Sequence, residues 1–157
     1  MASESIEVGA PAPDFTLKDQ SEREVHLADL RGRQVVLSFH PLAWTSVCTI
    51  QMQDLEKHKA DMDRLGAVAL GLSVDSQPCK KAWANSIGVK ETALLADFWP
   101  HGAVGQAYGI FLDKFGFTQR AVFIVDEGGK VAFKKIYPIK QVPDIEEILK
   151  ALQKDSA

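Results

Sequence analysis

The chain has little cysteine, no long apolar run and no excess of positive charge, and each shortage removes a class of function. Its 157 residues include two cysteines, Cys48 and Cys79, which do not form a Cys-x-x-Cys pair. Two cysteines do not make the disulfide framework of a small secreted domain. The first five residues carry acid and no apolar segment, which predicts no secretion signal. We therefore expect a cytoplasmic protein with reactive thiols.

Membrane, nucleic-acid and metal-binding functions are also disfavoured. No apolar run approaches the ~20 residues that a membrane-spanning helix needs, and a net charge of −3 predicts no binding to nucleic acid or anionic membranes. Lys80-Lys81 and Lys134-Lys135 are isolated pairs, interpreted as parts of solvated faces. The histidines His26, His58 and His101 share no ligand spacing with the cysteines, so we expect no metal and no other cofactor.

Short apolar runs alternate with helix-like segments, which predicts an α/β protein. The predicted strands are 24–27, 34–39, 67–74, 94–96, 121–125 and 131–136. The predicted helices are 28–32, 46–64, 76–88, 102–107 and 143–152. Residues 126–130 read as the turn of a β-hairpin. This order predicts a three-layer sandwich formed by one domain that covers residues 1–157.

The segment that follows the strand 34–39 concentrates the reactive chemistry. Pro41 ends that strand because it has no N–H for the sheet, and Cys48 stands near the start of the next helix. Free N–H groups and the helix dipole favour a thiolate there. Thr45 lies three residues before Cys48 and can present its hydroxyl to the sulfur. A buried, inert cysteine is the alternative, but Pro, Thr and Cys fall together at one strand-to-helix corner.

The motif Pro41-x-x-x-Thr45-x-x-Cys48 resembles the active-site signature of the peroxiredoxins, the AhpC/TSA family. Residues 9–15 resemble the opening segment of that family, and residues 120–126 resemble its arginine-bearing strand. Residues 97–109 look most like the AhpE-type branch, whereas the place of the second cysteine is similar to the Q-type, bacterioferritin comigratory protein-like branch. The resemblance implies a thioredoxin-like fold with a mixed central sheet.

It also implies a thiol-dependent peroxidase that reduces hydrogen peroxide, organic hydroperoxides or peroxynitrite through a sulfenic acid on Cys48. Pro41, Thr45 and Arg120 are the implied catalytic partners of Cys48. Arg120 opens an apolar strand, where an unpaired charge is costly, so we expect it to face an anion. A solvated strand end with a salt bridge is the alternative for Arg120, and the resemblance outweighs it.

Three residues within or next to this motif are candidates for the substrate pocket: His40, Trp44 and Gln51. Many relatives carry glutamate where this chain has Gln51, whose amide can accept from Arg120 but brings no charge. His40 replaces an aromatic residue of many relatives; it either tunes Cys48 with pH or is a satisfied wall of the pocket. Trp44 and Trp99 line the pocket or a subunit contact, and Trp83 belongs to the core.

The second cysteine decides how the sulfenic acid is removed. Cys79 lies 31 residues after Cys48, near the start of the next predicted helix, and the nearer Q-type position is occupied by Gln53. The Q-type resemblance implies an intramolecular disulfide, whereas AhpE-type proteins often use an external thiol; both remain open. The implied reductants are thioredoxin-like proteins, glutaredoxin-like proteins or low-molecular-weight thiols. Residues 97–101 resemble a loop near a subunit contact, which predicts a possible homodimer.

Two other functions compete with peroxidase activity. A thioredoxin-like disulfide oxidoreductase is disfavoured because the segment from Cys48 to Gln51 contains no second cysteine. A redox sensor or binding module would form a disulfide with a partner without turning over. Stoichiometric rather than catalytic loss of peroxide in the presence of a thiol distinguishes the sensor from the enzyme.

Overall fold

A computed structural model describes residues 4–153 of the chain. Its strands are β1 (Thr16–Lys18), β2 (Glu24–His26), β3 (Gln34–Phe39), β4 (Ala67–Ser73), β5 (Ala93–Ala96), β6 (Phe111–Leu112), β7 (Phe117–Thr118), β8 (Arg120–Val125) and β9 (Val131–Tyr137). Its α-helices are α1 (Ser46–Lys57), α2 (Lys59–Arg64), α3 (Gln77–Ile87), α4 (Ala103–Ala107) and α5 (Ile145–Gln153). A 3₁₀ helix spans Leu27–Leu30. None of these helices has the length and apolarity to cross a membrane.

Five strands form the central sheet, in the order β5-β4-β3-β8-β9. β3 is parallel to β4, and β4 is parallel to β5. β8 is antiparallel to both β3 and β9. The expectation of a mixed sheet is confirmed, because two crossover connections give parallel pairs and the final hairpin gives an antiparallel one.

Side chains of β3 alternate between the two faces of the sheet, as expected for a strand buried on both sides. On one face Val36 packs with residues of α1, α2, α3 and α5, including Met52, Met62, Trp83, Ile148 and Leu149. On the other face Val35, Leu37 and Phe39 pack with the N-terminal region and α4, including Phe15, Leu27, Val104 and Tyr108. The expected three-layer, thioredoxin-like sandwich is confirmed.

The structure corrects several predicted boundaries. The single helix expected over 46–64 is wrong: it ends at His58, whose φ of −103° and ψ of 16° break it into α1 and α2. The final helix begins after Asp144, whose carboxylate accepts the N–H of Glu146 at 3.0 Å. The strands β1, β6 and β7 were not expected, since two or three residues give too short a run to show a period of two.

Helix α1 lies close to the sheet because β4 contains Gly71. The thioether of Met52 occupies the space that a β-carbon on Gly71 would take, and Leu94 approaches the same position at 3.0 Å. Met52 and Cys48 are four residues apart, so they lie on the same buried face of α1. The distance between the sheet and the face of α1 that carries Cys48 therefore depends on Gly71.

Candidate active site

Cys48 is fully buried in the first turn of α1, as its third residue. The chain leaves β3 at Phe39, passes through the buried residues His40 and Pro41, and enters the helix after Thr45. Thr45 has an extended backbone, with φ of −103° and ψ of 152°, and its side chain does not cap the helix. The N-terminal N–H groups and the positive end of the helix dipole thus lie near the sulfur.

Arg120 reaches Cys48 across the junction between β3 and β8. It is the first residue of β8, and the antiparallel register pairs Ala121 with Phe39, where β3 ends. Only 2% of Arg120 is exposed, and its Nη1 donates to Cys48 Sγ at 3.2 Å. The structure therefore brings together the two residues that the sequence predicted to act on peroxide, and it excludes a solvated strand end for Arg120.

The guanidinium is held on two further sides. The carbonyl of Ile139 accepts from Arg120 Nε at 3.0 Å and from Nη2 at 2.7 Å. Gln51 Oε1 accepts from Nη1 at 2.6 Å. Four of the five N–H bonds of the guanidinium thus have partners in the described part of the chain. The remaining one, on Nη2, can bind an oxygen of a ligand.

Gln51 supports Arg120 from inside the protein. Its Nε2 donates to Ser38 Oγ at 2.7 Å and to the carbonyl of Phe39 at 3.2 Å, which fixes the amide so that Oε1 faces the guanidinium. Gln51 is 2% exposed. Arg120 is thus held by an amide and not by a carboxylate, as the sequence indicated. Because Gln51 is buried, it supports Arg120 from the core and does not line the surface of the pocket.

The loop before α1 carries Thr45 and Trp44 at the surface. The hydroxyl of Thr45 donates to the carbonyl of Leu42 at 2.9 Å, so its hydrogen is not directed to the sulfur as the sequence suggested. Its lone pairs can still accept from a ligand. Trp44 is 56% exposed and has a φ of 69°, a left-handed conformation that costs energy for a residue with a bulky side chain.

His40 is fully buried and has an unexpected partner, Lys80, which is fully buried as well. Lys80 Nζ lies 2.8 Å from His40 Nε2 and donates to Ser73 Oγ at 2.7 Å. The prediction that Lys80 lies on a solvated face is wrong. Burial and then the charge of Lys80 hold the pKa of His40 well below its usual range. Nδ1 of His40 contacts the carbonyl of Ser38 at 3.4 Å, which fits a neutral ring protonated on Nδ1.

The helical period of α3 could have shown that Lys80 faces the interior of the protein. Trp83 and Ala84, three and four residues later, are the other buried residues of α3, so Lys80 shares their inward face. The pair Lys80-Lys81 concealed this pattern, because Lys81 is exposed. Trp83 is fully buried, as predicted, and its ring lies 5.3 Å from that of His40.

Cys79 lies in the first turn of α3 and is partly exposed. Its Sγ lies 3.7 Å from Asp75 Oδ1, and its N–H donates to Ser76 Oγ at 3.3 Å. Burial raises the pKa of the Cys79 thiol, and the charge of Asp75 adds to this effect. Both cysteines are free in the structure.

Asp75, which the sequence did not single out, connects Cys79 to the loop before α1. Its Oδ2 accepts from the N–H of Ala43 at 2.8 Å and from Ser73 Oγ at 2.6 Å. No spacing rule relates Asp75 to residue 43, because the contact depends on the crossover between β3 and β4. Within residues 4–153, no group of three or more His, Cys, Asp or Glu side chains could hold a metal ion.

Known proteins share both the sequence and the fold. The AhpC/TSA family matches residues 8–134. Alkyl hydroperoxide reductase E of Mycobacterium tuberculosis is 41% identical over 140 residues, which cover 88% of this chain and 91% of the relative. Peroxiredoxin-2 of Rattus norvegicus is 35% identical over 98% of this chain and 81% of its own length.

Solved structures agree with these relatives. The reduced 2-Cys peroxiredoxin of Plasmodium vivax superimposes with a TM-score of 0.87 at 25% identity, covering 96% of this chain and 82% of that one. The mitochondrial 2-Cys peroxiredoxin of Plasmodium falciparum gives 0.86 at 26% identity, with coverages of 96% and 97%. The chain therefore belongs to the AhpC/TSA family, the peroxiredoxins, and is a thiol-dependent peroxidase.

Proposed function

We propose that Cys48 is the peroxidatic nucleophile and that Arg120 is its main electrostatic partner. The contact of 3.2 Å between Arg120 Nη1 and Cys48 Sγ carries this proposal. A cation at hydrogen-bond distance favours the thiolate, which is the reactive form. The thiolate attacks one peroxide oxygen, the O–O bond breaks, and the other oxygen leaves as hydroxide or alkoxide and takes up a proton. Cys48 becomes a sulfenic acid.

The same donors hold the peroxide. One N–H of Arg120 Nη2 has no partner within residues 4–153; it can donate to a peroxide oxygen and stabilise the negative charge that develops on the leaving oxygen. Thr45 can accept from the peroxide hydroxyl, and the buried Pro41 and the exposed Trp44 belong to the same loop between β3 and α1. We propose hydrogen peroxide, organic hydroperoxides and peroxynitrite as substrates. The similarity to alkyl hydroperoxide reductase E favours organic hydroperoxides.

We further propose that Cys79 resolves the sulfenic acid within the chain. Cys79 is partly exposed and belongs to the first turn of α3, which can open without unfolding the sheet. Attack of the Cys79 sulfur on Cys48 forms a disulfide and releases water. A thioredoxin-like or glutaredoxin-like protein then reduces it by thiol–disulfide exchange. The second candidate is resolution by an external low-molecular-weight thiol, as the likeness to the alkyl hydroperoxide reductase E branch suggests.

The proposed setting follows from this cycle. Two free thiols and a need for a thiol reductant fit a reducing compartment, the cytoplasm. A homodimer is also proposed, with support from the exposed aromatic residues Phe98 and Trp99, which are 50% and 80% exposed in the loop expected at a subunit contact.

One experiment tests both the nucleophile and the resolving step. Reduced protein is treated with one equivalent of hydrogen peroxide, digested and analysed by peptide mass. A disulfide that joins the peptides of Cys48 and Cys79 supports intramolecular resolution; a trapped Cys48 sulfenic acid beside a free Cys79 supports an external thiol. In parallel, Cys48→Ser is expected to lose peroxide consumption and keep the wild-type circular dichroism. Retention of most of the peroxidase rate in Cys48→Ser would overturn the assignment of the nucleophile.

A further inference from the structure

Lys80 is a buried cation that the peroxidase mechanism described above does not use. Its ammonium contacts His40 Nε2 at 2.8 Å and Ser73 Oγ at 2.7 Å, and it lies over the ring of Trp83 at 5.2 Å from the centroid. No other lysine in the described residues is fully buried. A buried lysine is costly to keep charged, so it is retained in cores mainly where its proton has a use.

Buried polar residues lie between Lys80 and Cys48, and they contact one another through both backbone and side-chain groups. His40 contacts the carbonyl of Ser38, and the hydroxyl of Ser38 accepts from Gln51. Gln51 in turn accepts from the Arg120 Nη1 that donates to Cys48 Sγ. Trp83, beneath the ammonium, donates to Thr49 Oγ1 at 3.3 Å, next to Cys48 in α1. Lys80 therefore belongs to the same polar cluster as the reactive sulfur.

Charged and titratable groups face Lys80 from each element packed against it. They are His40 after β3, Asp75 after β4, Cys48 of α1 and Cys79 of its own helix, while Arg120 of β8 acts on His40. Burial lowers the pKa of Lys80 from 10.5 to about 7, and the anionic forms of Asp75, Cys48 and Cys79 work in the opposite direction. A Cys48 thiolate thus helps Lys80 to keep its proton.

We propose that Lys80 is a positioning residue that holds a proton while Cys48 is a thiolate and gives it up when Cys48 is oxidised. This inference rests on Cys48 as the peroxidatic cysteine. The ammonium, the thiolate and ROOH become the neutral amine, the sulfenic acid and ROH. The S–O bond forms, the O–O bond breaks, sulfur loses two electrons to the peroxide, and the leaving oxygen takes up one proton. The proton that Lys80 releases offsets this uptake, so that less acid is drawn from the medium in the sum of the two steps.

Proton uptake during a single turnover tests the proposal. Reduced protein in weak buffer at about pH 7 is mixed with a hydroperoxide and a pH indicator, and the thiolate consumed is followed by its ultraviolet absorbance. Without the lysine, each thiolate oxidised must take one proton from the medium; with it, this uptake is roughly halved, because a group with a pKa of about 7 is about half protonated at pH 7. We expect Lys80→Met to take up about half a proton more per thiolate than the wild type. Lys81→Met, at an exposed neighbouring lysine, is the matched control and should behave as the wild type.

A direct titration keeps the test independent of whether Lys80→Met folds. The side-chain resonances of Lys80 are titrated by NMR in the reduced wild type and in Cys48→Ala. We expect a lower pKa for Lys80 in Cys48→Ala, because the neighbouring anion is gone. Equal proton uptake in wild type and Lys80→Met, or an unchanged Lys80 pKa in Cys48→Ala, overturns the proposal.

The two proposals fail in different ways. If Cys48→Ser retains peroxidase activity, both the nucleophile and the role of Lys80 are wrong. If Cys48→Ser is inactive and proton uptake is equal, only the role of Lys80 is wrong. Condensation of a Cys79 thiol with the sulfenic acid adds no proton to the balance, so the readout is the same whichever thiol resolves Cys48.

Discussion

Arg120 and Cys48 are 72 positions apart in the sequence, yet Arg120 Nη1 donates to Cys48 Sγ at 3.2 Å inside the protein. The antiparallel pairing of β8 with β3 creates this contact, and Ile139 and Gln51 hold the guanidinium in place. The consequences of the arrangement can be measured one residue at a time.

Replacement of Arg120 by alanine is expected to slow peroxide reduction by an order of magnitude or more. Interactions of this kind with a transition state contribute roughly 2–4 kcal/mol. The reason is that the variant lacks the cation that donates to Cys48 Sγ. Stopped-flow kinetics measure the rate, with Arg33→Ala, at an exposed arginine, as the control. An unchanged rate in Arg120→Ala would leave Arg120 a purely structural role.

Substitution of Gln51 by glutamate places a carboxylate between Arg120 and the core. We expect Gln51→Glu to react with peroxide more slowly, since the new anion neutralises part of the guanidinium charge that faces Cys48. The variant also loses the N–H donors to Ser38 and Phe39. Stopped-flow kinetics of the wild type and Gln51→Glu measure the effect. A faster reaction in Gln51→Glu contradicts the prediction.

Cys79→Ser is expected to preserve the first oxidation of Cys48 and to lose turnover supported by thioredoxin. The sulfenic acid then persists and proceeds to sulfinic acid under excess peroxide, which adds two oxygen atoms to the Cys48 peptide. Mass spectrometry and a coupled reductase assay follow the two effects. Wild-type turnover in Cys79→Ser would instead support resolution by an external thiol.

The stability of the protein should depend on the titration of Lys80. Its pKa is about 7 in the folded chain, against a usual value of 10.5, so the unfolded chain binds more protons between these pH values. The free energy of unfolding contributed by this group therefore rises with pH across that window and is smallest at or below about pH 7. Urea denaturation of wild type and Lys80→Met from pH 6 to 10 measures the effect, with Lys81→Met as the control. A difference between the first two proteins that does not change with pH is inconsistent with a buried, titrating Lys80.

The sequence sufficed for the main strands, the order of layers and the reactive corner, because these are local patterns. The run 34–39 is uniformly buried, and Cys48 stands in the first turn of α1, as the Pro41 stop and the following helix pattern predicted. The final hairpin also lies where the turn at 126–130 placed it.

The supporting network could not be predicted, because its contacts depend on how distant elements pack. Asp75 is 32 positions from the Ala43 N–H that it binds, and Lys80 is 40 positions from His40. Two adjacent lysines resemble an exposed pair. Only the helical spacing between Lys80 and Trp83 indicates that Lys80 is buried. The sequence likewise allowed the hydroxyl of Thr45 to face the sulfur of Cys48. In the structure, this hydroxyl donates to the carbonyl of Leu42.

Gly71 makes the reactivity of this protein sensitive to a position that touches no peroxide. A methyl group there would displace the thioether of Met52, or lift the face of α1 that Met52 shares with Cys48. Gln51 lies on the same helix and would move with Cys48, whereas the carbonyl of Ile139 holds Arg120 from outside α1. A displacement of α1 would therefore pull Cys48 and Gln51 together away from the guanidinium, and we expect Gly71→Ala to slow peroxide reduction although it alters no active-site residue.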